Sequence, residues 1–201
     1  MNVIDELARQ RVLPVLRCAD AGDALATARA AAAAGCRVVE LTMSTPGVEA
    51  AIGPLVADGL LVAVGTVRDA ADVARLAEAG ASLVVSFWSP PGFVAAATAA
   101  GIPAIPGGFT PAELAAAEAE GAAAVKFFPA SLSDPSYLGA LRPLLPELRL
   151  LVTGGIAPDG VRPWLDAGAL AVGLGSNLGT AATVGAAEVK SRCRAALATA
   201  Q

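Results

Sequence analysis

The chain has 201 residues, of which 55% are hydrophobic and 16% charged, with a formal net charge of −4; this suits one well-buried domain and excludes a disordered tail. There is no histidine, and among 14 basic residues only Lys126 and Lys190 are lysines, so imidazole-based triads, His-liganded catalytic zinc and a histidine general base are excluded. No basic run provides a nucleic-acid surface, no apolar run of about 18 residues suggests a membrane span, and Cys18, Cys36 and Cys193 are too few and too scattered for a disulfide framework or metal cluster. The start of the chain carries Asp5 and Glu6 and lacks the basic region of a signal peptide. A small soluble substrate and a reducing cytoplasm are therefore expected, with neither nucleic acid nor membrane as partner.

In chain order, a short N-terminal helix is expected first, and a repeating unit follows it: a β-branched or leucine-rich run, a polar or Gly/Pro loop, then an alanine-rich helical segment. The strand candidates are VLPVLR ending at Arg17, RVVELT around Glu40, LLVAVGT ending at Thr66 and SLVVS ending at Ser86. IPAIPG from Ile102, AAVKFF from Ala123, LRLLVTGG from Leu148 and ALAVGLGS from Ala169 complete the eight. Helix candidates near 20–34, 48–58, 69–79, 90–100, 111–120, 135–145, 158–167 and 186–199 alternate with them. Such alternation implies parallel pairing through right-handed crossovers. Eight units predict an α/β fold of the closed (β/α)₈ or TIM barrel type, a single domain over 1–201, lean beside the ~250 residues typical of that barrel. An open doubly wound sheet would need a glycine-rich turn after the first strand, and VLRCADAGDA does not supply one.

Barrel chemistry is built at the carboxyl ends of the strands. Those positions are Arg17, Glu40, Thr66, Ser86, the Pro106-Gly107-Gly108 turn, Lys126, Thr153-Gly154-Gly155 and Gly175-Ser176. Lys126 sits between AAAV and two phenylalanines, where loss of hydration disfavours an ammonium and favours an amine able to attack a carbonyl. Otherwise it is a strand-end lysine that snorkels or pairs with Glu40. An acid at Glu40 inside an apolar strand is either an ion-pair partner of Lys126 or Arg17, or a general acid/base. The turns TGGI and GLGSN follow the seventh and eighth strands, where barrels bind phosphate through backbone N–H groups and a helix N-terminus. Arg17 could hold a carboxylate bidentately.

These segments resemble the class I 2-keto-3-deoxy-6-phosphogluconate aldolases and their relatives, the 2-keto-3-deoxy-6-phosphogalactonate and 4-hydroxy-2-oxoglutarate aldolases. The similarity runs in order through VLPVLR, VVELTMST, AVGTV, LVVS, IPAIPG, VKFFPA, LVTGGI and VGLGSNL. The resemblance implies Lys126 as the Schiff-base residue, Glu40 as general acid/base, Arg17 and Thr66 on the pyruvyl carboxylate, and Phe128 as a pocket wall. Phosphate contacts would fall on Gly154, Gly155, Gly175 and Ser176, with Thr153 beside them among the substrate-binding residues. It further implies reversible cleavage of a 2-keto-3-deoxy sugar acid phosphate to pyruvate and glyceraldehyde 3-phosphate, no metal or cofactor, and a homotrimer. The chain departs from the gluconate-type pattern, which carries an arginine where Ser44 stands. Phe87 and Trp88 after the fourth strand, and Phe109 after the fifth, are also unusual, and two large aromatics are expected at the pocket edge. An isomerase, epimerase or synthase of phosphorylated metabolites, or a non-catalytic keto-acid binder, are the alternatives.

Overall fold

The computed structural model describes residues 2–201. Its first element is a helix, α1 (Val3–Gln10), opened by Asn2, whose side chain accepts from the Ile4 N–H at 3.0 Å. Strands and helices then alternate: β1 (Val12–Leu16), α2 (Ala21–Ala34), β2 (Val38–Thr42), α3 (Glu49–Ala57), β3 (Leu61–Gly65), α4 (Asp72–Glu78), β4 (Leu83–Val85) and α5 (Phe93–Ala99). Next come β5 (Ala104–Ile105), β6 (Gly107–Gly108), α6 (Pro111–Ala119), β7 (Val125–Phe127), α7 (Ser136–Leu141) and β8 (Leu150–Thr153). The chain finishes with α8 (Val161–Asp166), β9 (Ala171–Leu174), α9 (Ala181–Val184) and α10 (Ala186–Thr199).

Every pairing is parallel, in the order β5-β4-β3-β2-β1-β9-β8-β7-β6. The two ends of that order are halves of one segment. Pro106, which has no N–H to give a ladder, separates β5 from β6, yet its carbonyl accepts from the Lys126 N–H at 2.8 Å. β5 pairs with β4 and β6 with β7, so the sheet curls round on itself. The architecture is the expected (β/α)₈ barrel, with the fifth strand broken in two by one proline.

Local chemistry explains the helix boundaries. α2 begins at Asp20, which caps the Asp23 N–H at 2.8 Å, and ends at Gly35 in a left-handed conformation (φ 115°) that a side chain rarely adopts. α6 opens with a capping box: Thr110 receives the Glu113 N–H, Pro111 occupies the first turn, and the Glu113 carboxylate accepts from the Thr110 N–H at 2.8 Å. Thr110→Ala is expected to cost about 1 kcal/mol, or roughly 2–4 °C in Tm for a chain of this size. The Glu113 carboxyl lies below its ordinary value because the Thr110 and Phe109 N–H groups and the Thr110 hydroxyl all donate to it. A carboxylate depressed in the folded state stabilises above its unfolded value and loses that contribution as pH falls through the folded one. Thermal scans of Glu113→Gln are therefore expected to fall below those of the unaltered chain at pH 7 and to converge with them as pH drops below the ordinary carboxylate range.

Two apolar layers hold the barrel. The outer one lies between strands and helices and includes Val39, Leu41, Val62, Val64, Val84, Phe127, Val152 and Val172. The inner one fills the barrel: Leu13, Val38, Ala63, Leu83, Val85, Ile105, Ala124, Leu151 and Ala171 pack against Val3, Ile4 and Leu7 of α1, which closes the amino-terminal end. Each large side chain buried there contributes about 1.5–3 kcal/mol. Gln10, at the end of α1, is buried and bonds the Val12 and Val38 carbonyls and the Arg37 and Val38 N–H groups, tying the plug to β1 and β2. No described helix is long and apolar enough to cross a membrane.

Candidate active site

Side chains two residues apart on a strand share a face, so the position above each inner-layer residue also points into the barrel. One step beyond Leu13, Val38, Ala124 and Leu151 stand Val15, Glu40, Lys126 and Thr153, and one step beyond Ala63, Ile105 and Ala171 stand Gly65, Gly107 and Gly173. The four side chains line a cavity of about 710 Å³ at the carboxyl end of the barrel. A further step up β1 and β9 reaches Arg17 and Gly175, also on its wall. The structure therefore gathers all ten sequence-predicted residues in one cavity: Lys126, Glu40, Arg17, Thr66 and Phe128 on one part of the lining, Thr153, Gly154, Gly155, Gly175 and Ser176 on the other.

At the floor, the Lys126 ammonium donates to Glu40 Oε1 at 3.3 Å, with the two residues 5% and 0% exposed. Among the described residues the second carboxylate oxygen, Oε2, has no partner, and neither does the buried Thr153 hydroxyl. Unpartnered buried polar atoms facing a cavity are groups available to a ligand or water. Glycines make this crowding possible. A methyl group on Gly65 would overlap the Glu40 carboxylate, one on Gly173 would overlap the Thr153 side chain, and one on Gly107 would strike the Phe87 backbone.

On one side of the mouth lie the turns after β8 and β9. Gly154 and Gly155 have φ of 114° and 78°, and a side chain at Gly155 would press on Ser131 at 2.8 Å. Asn177 joins the two turns by donating to the Ile156 carbonyl at 2.9 Å and the Gly155 carbonyl at 3.4 Å. The N–H groups of Gly155, Gly175 and Ser176 have no protein acceptor among the described residues, which leaves a cradle of free donors suited to an anion. The helix N-terminus expected beside them is different: the first N–H groups of α9, at Ala181 and Ala182, are taken by Thr27 Oγ1 and Asp23 Oδ1, both at 2.8 Å. Desolvation would raise the Asp23 carboxyl, but donations from the Ala182 and Ala19 N–H groups and from the Thr180 and Thr27 hydroxyls outweigh it and hold the group below its ordinary value.

The opposite side is built from the ends of β3 and β4. Thr66 sits at φ 61°, a left-handed conformation costing a β-branched residue about 1–3 kcal/mol. Ser86 does not reach the cavity; its hydroxyl donates to the Val67 carbonyl at 2.7 Å and anchors that turn. Phe87 lines the mouth and the exposed Trp88 does not, so of the two aromatics expected there after the fourth strand the structure places one. Phe109 is spent elsewhere, stacked on Phe127 and Tyr137 at 5.1 and 6.0 Å between centroids. Ser44 bonds the Thr42 hydroxyl and does not line the cavity. Sequence reasoning missed Arg68, Asn177 and Ser131, which do; they lie past the strand ends, where periodicity gives no direction.

A parallel barrel with a buried amine–carboxylate pair and free backbone donors at its mouth has the parts of a barrel enzyme that acts on a small anionic molecule. The family model described as KDPG and KHG aldolase matches residues 3–194. The 2-dehydro-3-deoxy-6-phosphogalactonate aldolase of Escherichia coli (strain K12) is 33% identical over 171 residues, 83% of this chain and 83% of that protein. The 2-dehydro-3-deoxy-phosphogluconate aldolase of Treponema pallidum (strain Nichols) is 36% identical over 160 residues, 78% of this chain and 76% of that one. The crystal structure of KDPG aldolase from Legionella pneumophila, with pyruvate captured at low pH as a covalent carbinolamine intermediate, superimposes with a TM-score of 0.88 at 27% identity, covering 98% of each chain. The chain belongs to the KDPG and KHG aldolase family.

Proposed function

We propose that the chain, with residues 1–201 acting as one barrel domain, is a class I aldolase. Its substrate is a 2-keto-3-deoxy-6-phospho sugar acid of the phosphogluconate or phosphogalactonate type, and its products are pyruvate and glyceraldehyde 3-phosphate. The observation that carries this is the buried 3.3 Å contact of Lys126 Nζ with Glu40 Oε1 at the floor of the cavity. Lys126 passes a proton to Glu40 and the freed amine adds to the C2 ketone; Glu40 then gives that proton to the departing carbinolamine hydroxyl, so that loss of water leaves a protonated imine and an ionised Glu40. When the C3–C4 bond breaks, its electron pair moves into that imine to form an enamine, while the C4 hydroxyl proton passes to Glu40. Glu40 then returns a proton to the enamine carbon, and hydrolysis of the imine frees pyruvate.

Arg17 and Thr66 are assigned to the carboxylate next to the ketone, and Phe128 to the pocket wall. Thr153, Gly154, Gly155, Gly175 and Ser176 are assigned to the distal half of the substrate and its phosphate, which the free N–H groups suit. Treating the protein with borohydride in the presence of pyruvate is expected to leave a stable adduct that peptide mass spectrometry maps to Lys126; an unlabelled, active protein overturns the assignment. A panel of 2-keto-3-deoxy acids with and without phosphate, read by pyruvate release, then decides configuration and the need for phosphate.

We also propose a cytoplasmic homotrimer. Cys18, Cys36 and Cys193 are all free thiols, as a reducing compartment allows. The exposed Trp88, Leu132 and Leu144 supply apolar surface for association, and light scattering is expected to give three chains per particle.

A further inference from the structure

Arg68 has no assigned role, yet its setting is built. The left-handed turn at Thr66 is pinned from both sides: the Val67 N–H donates to the Val85 carbonyl at 3.2 Å, and the Val67 carbonyl receives the Ser86 hydroxyl. With Val67 buried, the next side chain is launched over the cavity. The Arg68 guanidinium lies 5.9 Å from the Phe87 ring centroid, and Phe87 meets Phe128 edge-on at 6.5 Å. Guanidinium and two rings thus form a ledge, a geometry in which the aromatic face steadies the cation and leaves its N–H edge free.

Charge points the same way. Three cations line the cavity, Arg17, Arg68 and Lys126, against the single carboxylate of Glu40. Lys126 is paired with that carboxylate, whereas Arg17 and Arg68 take part in none of the ion pairs or side-chain hydrogen bonds among the described residues. Most other arginines of the chain are engaged: Arg9, Arg29, Arg75, Arg162 and Arg192 with acids, Arg11 and Arg142 with carbonyls. In the strand order β3 stands four steps from β8 in either direction, so Arg68 faces the glycine turns across the mouth.

We propose that Arg68, steadied by Phe87, contacts an anionic group of the substrate, so that the cavity grips its ligand from two opposed sides. The inference rests on the aldolase reading above. Two groups share the required chemistry, the carboxylate of the keto acid and the phosphate of the aldehyde half, and the test separates them.

Steady-state kinetics in the direction of carbon–carbon bond formation are measured for Arg68→Gln, Arg68→Lys and Phe87→Ala, varying pyruvate and glyceraldehyde 3-phosphate in turn. Loss of one charge-assisted contact is expected to raise one KM about 10- to 100-fold in Arg68→Gln, with a smaller change in kcat. A rise in the pyruvate KM identifies the carboxylate, and a rise in the aldehyde KM the phosphate. Arg68→Lys, which keeps the charge without the planar stack, is expected to recover part of the loss, and Phe87→Ala to reproduce part of it. Both KM values staying within twofold in Arg68→Gln overturns the proposal while borohydride trapping of pyruvate on the unaltered chain still succeeds. Failure of that trapping overturns the aldolase reading and this inference together.

Discussion

Lys126→Met is expected to abolish the borohydride-trapped pyruvate adduct and to lower kcat/KM by at least about a thousandfold, because the nucleophile and the proton-transfer partner of Glu40 are lost together. It is also expected to destabilise the fold. Glu40 is 0% exposed and one of its oxygens already lacks a partner, so removing the ammonium strands a buried carboxylate, a change that costs about 3–5 kcal/mol. Folding and chemistry can be separated. Replacing a buried ion pair by uncharged groups is often neutral, so Lys126→Met/Glu40→Gln is expected to recover much of the lost Tm and none of the activity. Trapping that persists in Lys126→Met would remove this lysine from the mechanism, and a double variant no more stable than the single one would show that the pair is not coupled.

Gly65→Ala is expected to lower kcat by about 100- to 1000-fold, the scale of a mispositioned general acid/base. The backbone of Gly65 does not lie in the left-handed region, so alanine is acceptable to the chain itself; the obstacle is the Glu40 carboxylate, which occupies the space of the new methyl. Since Lys126 is untouched, trapping with pyruvate should still label it. Gly139→Ala provides the control: that glycine lies in α7 and its added methyl meets nothing within 4 Å, so activity should be unchanged. Equal kcat in Gly65→Ala and the unaltered chain would mean that Glu40 can work from another position.

The alternation of strands and helices was legible because each unit carries its own punctuation. Asp20 and Gly35 frame α2, and Thr110-Pro111 opens α6, all within a few residues of the sequence-based bounds. Glu40 and Lys126 were legible for a different reason: a charged residue inside a β-branched run has to be paired or employed. What stayed hidden depends on neighbours distant in sequence. Gly65 matters because β2 places Glu40 over it, and Gly173 because β8 places Thr153 over it, so neither role can be read from LLVAVGT or ALAVGLGS. Arg68 follows a positive-φ threonine that no propensity foretells. α9, at four residues, is shorter than the window in which a helical period registers, and Pro106 breaks a strand whose two sides pair with different partners.

The plug formed by Val3, Ile4 and Leu7 under the barrel has a consequence for traffic. With that end shut, reactants and products share one doorway. In the mechanism proposed above, the pyruvyl half stays tethered to Lys126 at the bottom after the carbon–carbon bond breaks, with the aldehyde half between it and the exit. The aldehyde must leave first, and while it lingers the tethered enamine can recapture it. A dead-ended chamber of this kind enforces a fixed order of departure and makes the same protein a builder of carbon–carbon bonds whenever aldehyde is plentiful outside.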